Sequence, residues 1–258
     1  MKTKVIAFTS EKGGTGKTML ATHLAAILAN KWRVLLVDGD PQAHTTISFG
    51  LTKEPMLHDL LVRGLPLNQA VRQPDPKKYT MLGDVPQGQL YVVPGNQETA
   101  VVPMLTQDLD CLRDVISELE GSIDYVILDT APTPGGLIPI MYRAIDYAII
   151  PTKLEYLALD GMIATISTVR DFKYRQIEVL GIAPNLFKKT ILHQRNLVRL
   201  KAWAADQGCR VLPEIGDRTA FGEVSQNKTM VYTAKGGDRA AAELLALTAA
   251  VKGMLAHV

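Results

Sequence analysis

Between Val5 and Ala29 an apolar run, a glycine-rich turn and a helical repeat follow one another without a gap. Val5-Ile6-Ala7-Phe8 reads as a buried strand, and residues 19–29 carry apolar side chains at helical spacing. The turn between them is Glu11-Lys12-Gly13-Gly14-Thr15-Gly16-Lys17-Thr18. A glycine-rich turn that opens a helix is a phosphate cradle, because its backbone N–H groups converge on an anion and the helix dipole favours negative charge. Gly13, Gly14, Thr15 and Gly16 supply the cradle, Lys17 reaches the β- and γ-phosphates, and Thr18 ligates Mg²⁺.

The general pattern for such a loop has a glycine where Glu11 stands, so it is broken at its first position. What stands instead is Lys12-Gly13-Gly14-Thr15-Gly16-Lys17-Thr18, with a second lysine inside the loop. This resembles the deviant Walker A motif of the ParA/MinD group of ATPases. Two more motifs agree with that resemblance in order and spacing. Asp38-Gly39-Asp40-Pro41-Gln42 ends the apolar run 33–37 and is similar to the family's second motif. Tyr125-Val126-Ile127-Leu128-Asp129 is another apolar strand ending in an acid, and looks like Walker B. Such strand ends, at the carboxyl edge of a parallel sheet, are where ligands sit in open α/β folds.

The resemblance runs from Lys4 to about Ala256 and includes 149–161, similar to the strand–loop–helix after Walker B in partition ATPases. It implies ATP and Mg²⁺ as ligands. It assigns Asp40 to the attacking water, Asp38 to the Mg²⁺ neighbourhood and Asp129 to holding Mg²⁺ through a water. It gives Lys12 a trans role, contacting phosphate across a nucleotide-sandwiched dimer as an arginine finger does. Gly135-Gly136 reads as a flexible turn near the γ-phosphate. Ala131 departs from the Pro or Cys more common before Pro132, a difference that touches packing rather than metal chemistry.

The base pocket is more weakly marked. Asn185, after the strand 179–183 and Pro184, is the candidate base reader, with Pro213 and Glu214 as a second wall. A guanine-reading Asn-Lys-x-Asp motif is missing, so ATP is favoured over GTP. Lys153 stands where partition ATPases often carry a neutral residue, and both a partner-subunit contact and a solvated loop lysine are open for it.

Length and composition bound the rest. At 258 residues with 47% apolar content, the chain fits one α/β P-loop domain, 1–258, with a substantial core. Cys111 and Cys209 lie far apart, without metal-ligand spacing, which excludes an iron–sulfur relative such as nitrogenase iron protein and points to a reducing compartment. The five histidines likewise lack metal spacing and read as surface or capping groups. The start at Met1 leads straight into a strand, so neither a signal peptide nor a helix-turn-helix extension is expected. No apolar run has the length of a membrane span.

Strands are expected at 4–9, 33–38, 90–94, 125–129, 147–150, 179–183 and 210–212. Helices are expected at 17–29, 104–119, 138–144, 159–172, 196–207 and 240–255, with short ones between 45 and 71 and a surface loop over 72–88. The alternation indicates a mostly parallel central sheet with helices on both faces.

Charge is uneven. Residues 1–169 hold 14 Lys/Arg against 18 Asp/Glu, whereas residues 170–258 hold 14 against 8. The basic candidates for DNA are Lys188, Lys189, Arg195, Arg199, Lys201, Arg218, Lys228, Lys235 and Arg239. Arg195 and Arg199 share a helix face, and few aromatics accompany them, which favours backbone binding without sequence reading. The tail 239–258 is alanine-rich, without Trp or Phe, and reads as packed on the body rather than inserted among lipid headgroups.

Together these features, with the resemblance, imply a cytoplasmic, nucleoid-associated ATPase that segregates DNA or positions a cargo. It would bind non-specific DNA as an ATP homodimer and release it when a ParB-like or cargo-adaptor protein stimulates hydrolysis. A MinD-like membrane-cycling ATPase and an ATP-dependent ligase of the same P-loop class remain as alternatives.

Overall fold

Six strands make one parallel sheet: β1 (Lys4–Phe8), β2 (Arg33–Gly39), β3 (Gln89–Val93), β4 (Tyr125–Thr130), β5 (Tyr147–Lys153) and β6 (Glu178–Asn185). Their order is β3-β2-β4-β1-β5-β6. The computed structural model describes residues 2–81, 84–132, 136–233 and 237–256, the side chains of 156–158 excepted. Among these, the helices are α1 (Lys17–Leu28), α2 (His44–Ser48), α3 (Met56–Val62), α4 (Leu67–Ala70), α5 (Val102–Leu105), α6 (Cys111–Ser117), α7 (Ile138–Ala144), α8 (Tyr156–Arg170), α9 (Ile191–Asp206), α10 (Thr219–Asn227) and α11 (Asp238–Leu255).

The strands read as continuous apolar runs because both faces of the sheet are covered. Alternate residues feed two separate cores. Val5 and Ala7 of β1 join Leu35, Val37, Val126 and Leu128 under α3 and α6 to α9. Ile6 and Phe8 point the other way, to α1 and α11. Each fully buried Leu or Ile contributes roughly 1.5–3 kcal/mol relative to exposure. Helix α1 lies almost wholly inside, with ten of its twelve residues buried.

β1 sits between β4 and β5, and the chain visits β2 and β3 on one side before β5 and β6 on the other. The order therefore reverses beside β1, which opens a crevice at the carboxyl ends of these strands. The glycine-rich turn leaves β1 at that crevice.

Four expectations need correction. The helix expected over 104–119 is two helices, α5 and α6. Between them Thr106 Oγ1 accepts from the Asp108 N–H and Asp108 Oδ1 from the Asp110 N–H, local bonds that compete with a helix. Residues 210–212 form only an isolated bridge, Val211 to Ile182, because Pro213 follows and cannot continue a ladder. β5 runs three residues past Ile150; it borders β1 only as far as Ile149, so at Pro151 one side of the strand has no ladder to break. Helix α10 lies in a stretch where no element was expected.

Helix α11 packs as the tail composition suggested, through Ala240, Leu244, Leu247, Val251 and Leu255. Among the described residues, no helix is long and apolar enough to cross a membrane.

Candidate functional site

The glycine-rich turn takes the backbone that its composition allows. Gly14 and Gly16 have φ of +69° and +88°, left-handed values that other residues adopt at a cost. A Cβ on Gly16 would also collide with Asn185 Nδ2. Helix α1 begins directly after Gly16 with no side-chain cap, so its first N–H groups remain available to an anion. The Lys17 ammonium, 6% exposed, donates to Ser10 O at 3.1 Å. Burial lowers its pKa, while the charges of Asp129 and Asp40 pull it back up.

Opposite the loop are two carboxylates in one register pair of the β2/β4 ladder, Asp38 and Asp129. Neither is exposed at all. Asp38 Oδ2 accepts from Thr46 N at 2.7 Å and Thr46 Oγ1 at 2.5 Å. Asp129 Oδ2 accepts from Thr45 Oγ1 at 2.7 Å. Asp129 Oδ1 is buried without a hydrogen bond of ordinary geometry among the described residues. Burial pushes the Asp38 carboxyl up to about 6. It pushes Asp129 up to about 7, reinforced by the Asp38 charge and opposed by Thr45 and Thr18. A buried acid pair with an orphaned oxygen, beside a threonine hydroxyl, is a set of hard oxygen donors that fits Mg²⁺.

Asp40 is partly exposed, and its Oδ1 accepts from Gln42 N at 2.9 Å. It lines a chamber of about 980 Å³ together with Gly14, Gly16, Lys17, Thr18 and Asn185. The far wall comes from 217–230, chiefly α10 with Phe221 and Val224.

Asn185 is fully buried; its Nδ2 donates to Thr15 O at 2.8 Å, and its Oδ1 has no partner among the described residues. It therefore braces the loop and keeps one free acceptor at the chamber. Pro213 and Glu214 do not line this chamber; Glu214 lines a separate charged cleft with Lys188 and Arg239. The wall that stands in their place was not expected from the sequence, since α10 is short and contains Gly222.

Lys12 does not line the chamber either. Its stem runs along Gly161 of α8, 3.6 Å from where a Cβ on that glycine would stand. The preceding Glu11 is tied to the same helix, its N–H donating to Thr165 Oγ1 and its carboxylate accepting from Thr168 Oγ1. The turn at Gly135 lies outside the described residues.

The basic candidates do not share one setting, and Lys189 is exposed just before α9. Arg195, Arg199 and Lys201 are exposed on α9. Lys188 pairs with Asp217, and Arg218 and Arg239 both pair with Glu243. Lys228 lines the nucleotide-sized chamber, and Lys235 lies outside the described residues. The histidines are not all peripheral: His23 and His58 are each 4% exposed.

A family model described as an AAA domain matches residues 3–182. The chromosome-partitioning ATPase Soj of Thermus thermophilus is 34% identical over 206 residues, covering 78% of this chain and 77% of that protein. The chromosome-partitioning protein ParA of Myxococcus xanthus is 31% identical over 204 residues, covering 74% and 68%. Among solved structures, apo McdA of Cyanothece superposes with a TM-score of 0.80 at 20% identity, covering 98% of this chain and 99% of that one. The cell-division ATPase MinD of Pyrococcus furiosus superposes at 0.75 with 22% identity, covering 97% and 99%. The structural likenesses carry the fold; the family model and the sequence relatives carry the family, and the chain belongs to the ParA-type partition ATPases of the ParA/MinD family.

Proposed function

We propose that the chain, as one unit over 1–258, is a cytoplasmic, nucleoid-associated ATPase that segregates DNA or positions a cargo on it. The carrying observation is an uncapped helix N-terminus and a buried lysine at one chamber, with the buried Asp129 carboxylate, one of whose oxygens has no partner among the described residues, close enough for its charge to act on that lysine. ATP fits there with its phosphates on Gly13 to Thr18 and its base toward α10, where Asn185 Oδ1 can accept from an amine. Lys17 holds the β- and γ-phosphates. Thr18, Asp129 and Asp38 form the place for Mg²⁺, which when bound neutralises charge on the phosphate oxygens. Asp40, at the open edge of the chamber, orients the attacking water.

Lys12 has no ligand role inside its own chamber, and in this reading it serves the nucleotide of a second copy across a sandwich dimer. The dimer presents two α9 surfaces to DNA, and a ParB-like or cargo-adaptor protein stimulates hydrolysis and release. Thermodynamically, DNA affinity is then linked to the nucleotide state through dimerisation.

Two substitutions test the chemistry. Lys17→Ala removes the fixed partner of the phosphate charge, and nucleotide binding is lost. Asp40→Ala keeps ATP binding but loses at least tenfold in hydrolysis, since water positioning matters only for reaction. Equilibrium binding and phosphate release measure the two; normal turnover in Asp40→Ala removes that residue's role. Substrate-dependent phosphate release without any protein partner would instead support a ligase.

A further inference from the structure

The Asn185 side chain, at the end of β6, reaches the glycine-rich loop. Its register partner in the β5/β6 ladder is Lys153. The pair closes the ladder at the carboxyl edge. Asn185 bonds Thr15 O and fills the space beside Gly16. Lys153 reaches Gly14, with Nζ 3.6 Å from where a Cβ on that residue would stand. Neighbouring strands thus flank three successive loop residues: the Asn185 amide bonds the loop, and the Lys153 ammonium lies beside it.

The Lys153 ammonium has no hydrogen-bond or ion-pair partner among the described residues; its carbonyl oxygen accepts from the Thr152 hydroxyl. Holding a long, half-buried side chain against a glycine costs rotamer entropy, with no protein contact of its own to offset it. Gly14 itself lines the chamber; Lys153 stands behind it, outside the chamber's lining residues, and reaches an anion there only from beside that glycine. Lys17, the lysine already inside, shares its charge with Asp129 and Asp40. A further cation beside Gly14 therefore adds to the field acting on an anion in the loop. A fixed charge attracts a triphosphate more than a diphosphate, in proportion to the charge carried.

We propose that Lys153 is a phosphate-binding residue of this site, pairing from its own protomer with the terminal phosphate of a nucleoside triphosphate and setting the preference for triphosphate over diphosphate. The proposal rests on the loop holding a nucleotide.

The test compares wild type, Lys153→Met and Lys153→Arg, each with Mg²⁺, in equilibrium binding of a non-hydrolysed ATP analogue and of ADP. Protein is kept dilute enough to remain monomeric. Lys153→Met keeps the stem and loses the charge; its affinity for the analogue falls about tenfold and for ADP about two- to threefold, as expected for one partly screened charge. Lys153→Arg keeps the wild-type preference. An unchanged preference in Lys153→Met, while wild type binds ATP, overturns this role and leaves the ATPase reading standing. Equal losses for both nucleotides, not rescued by arginine, mean that Lys153 only supports the loop, and overturn it too. Failure of wild type to bind either nucleotide removes both the role and the reading beneath it.

Discussion

The His23 imidazole joins the floor of the chamber to its wall. Its Nδ1 lies 2.7 Å from Met19 O, and its Nε2 accepts from Val231 N at 3.2 Å. Accepting at Nε2 places the proton on Nδ1, where it bonds Met19 O; a second proton would face the Val231 N–H. Phe221 and Tyr232 stack edge-on around the ring. Burial lowers the His23 pKa to about 4. A base with a depressed folded pKa favours the folded state above its unfolded value near 6.5, and that stability is lost as pH falls toward 4. By pH 5 the loss is about 2 kcal/mol. Asp38 and Asp129 act in the opposite sense: their folded values of about 6 and 7 lie above the unfolded carboxylate, so their contribution falls as pH rises from about 4 to 7. Comparing variants isolates the imidazole from this background. Urea unfolding at pH 7.5 and pH 5 should show wild type losing about 2 kcal/mol more than His23→Gln. Equal losses would mean that the ring is not held neutral by the fold.

At the scale of elements, what was legible followed periodicity. The strands of the sheet other than β5, with α1 and α7, stand close to their expected bounds because each has a dense apolar pattern that its burial explains. The phosphate loop and the acids Asp38 and Asp129 were legible for another reason: glycine and charge at strand ends have few structural uses. What could not be read depends on contacts between distant residues. Asn185 meets Thr15 across 170 positions, and its bracing role exists only once β6 lies beside the loop. Helix α10 is similar. It holds Gly222, ends at Lys228 in the left-handed region, and buries little beyond Val224, so no local pattern announces it. Packing against the His23 side of α1 fixes it instead. Its Phe221 lines the chamber on the wall across from the loop and offers an apolar surface. Phe221→Ala should therefore weaken ATP and ADP alike, by roughly five- to tenfold for one lost aromatic contact, with the preference between them unchanged. A shift in that preference would place the ring near the phosphates and remove α10 as the base-side wall.

At the scale of the whole molecule, the basic excess of residues 170–258 has to be set against its surface. Part of it is spoken for, since Lys188, Arg218 and Arg239 are paired with acids. Arg195 and Arg199 are exposed four residues apart on α9, with Ile191 and Val198 also exposed on that helix at 86% and 68%. One such surface offers few phosphate contacts. Two on a dimer act as a bivalent grip, so weak contacts combine without any new one. DNA retention should require ATP and ignore sequence. It should fall steeply between low and moderate salt, because each neutralised phosphate releases counterions. Lys12→Ala should abolish it by preventing the dimer. Arg195→Glu with Arg199→Glu should weaken retention on every DNA alike, by tenfold or more, while ATP-driven dimerisation by light scattering stays intact. Retention by the double variant equal to wild type would move the DNA surface off α9. The stronger reversal comes from lipid. The main apolar stripe of α11 is buried against α1 and the sheet and is not presented to headgroups. If wild type nevertheless ignores DNA and sediments with anionic vesicles when ATP is present, positioning on DNA fails and a membrane-cycling function takes its place.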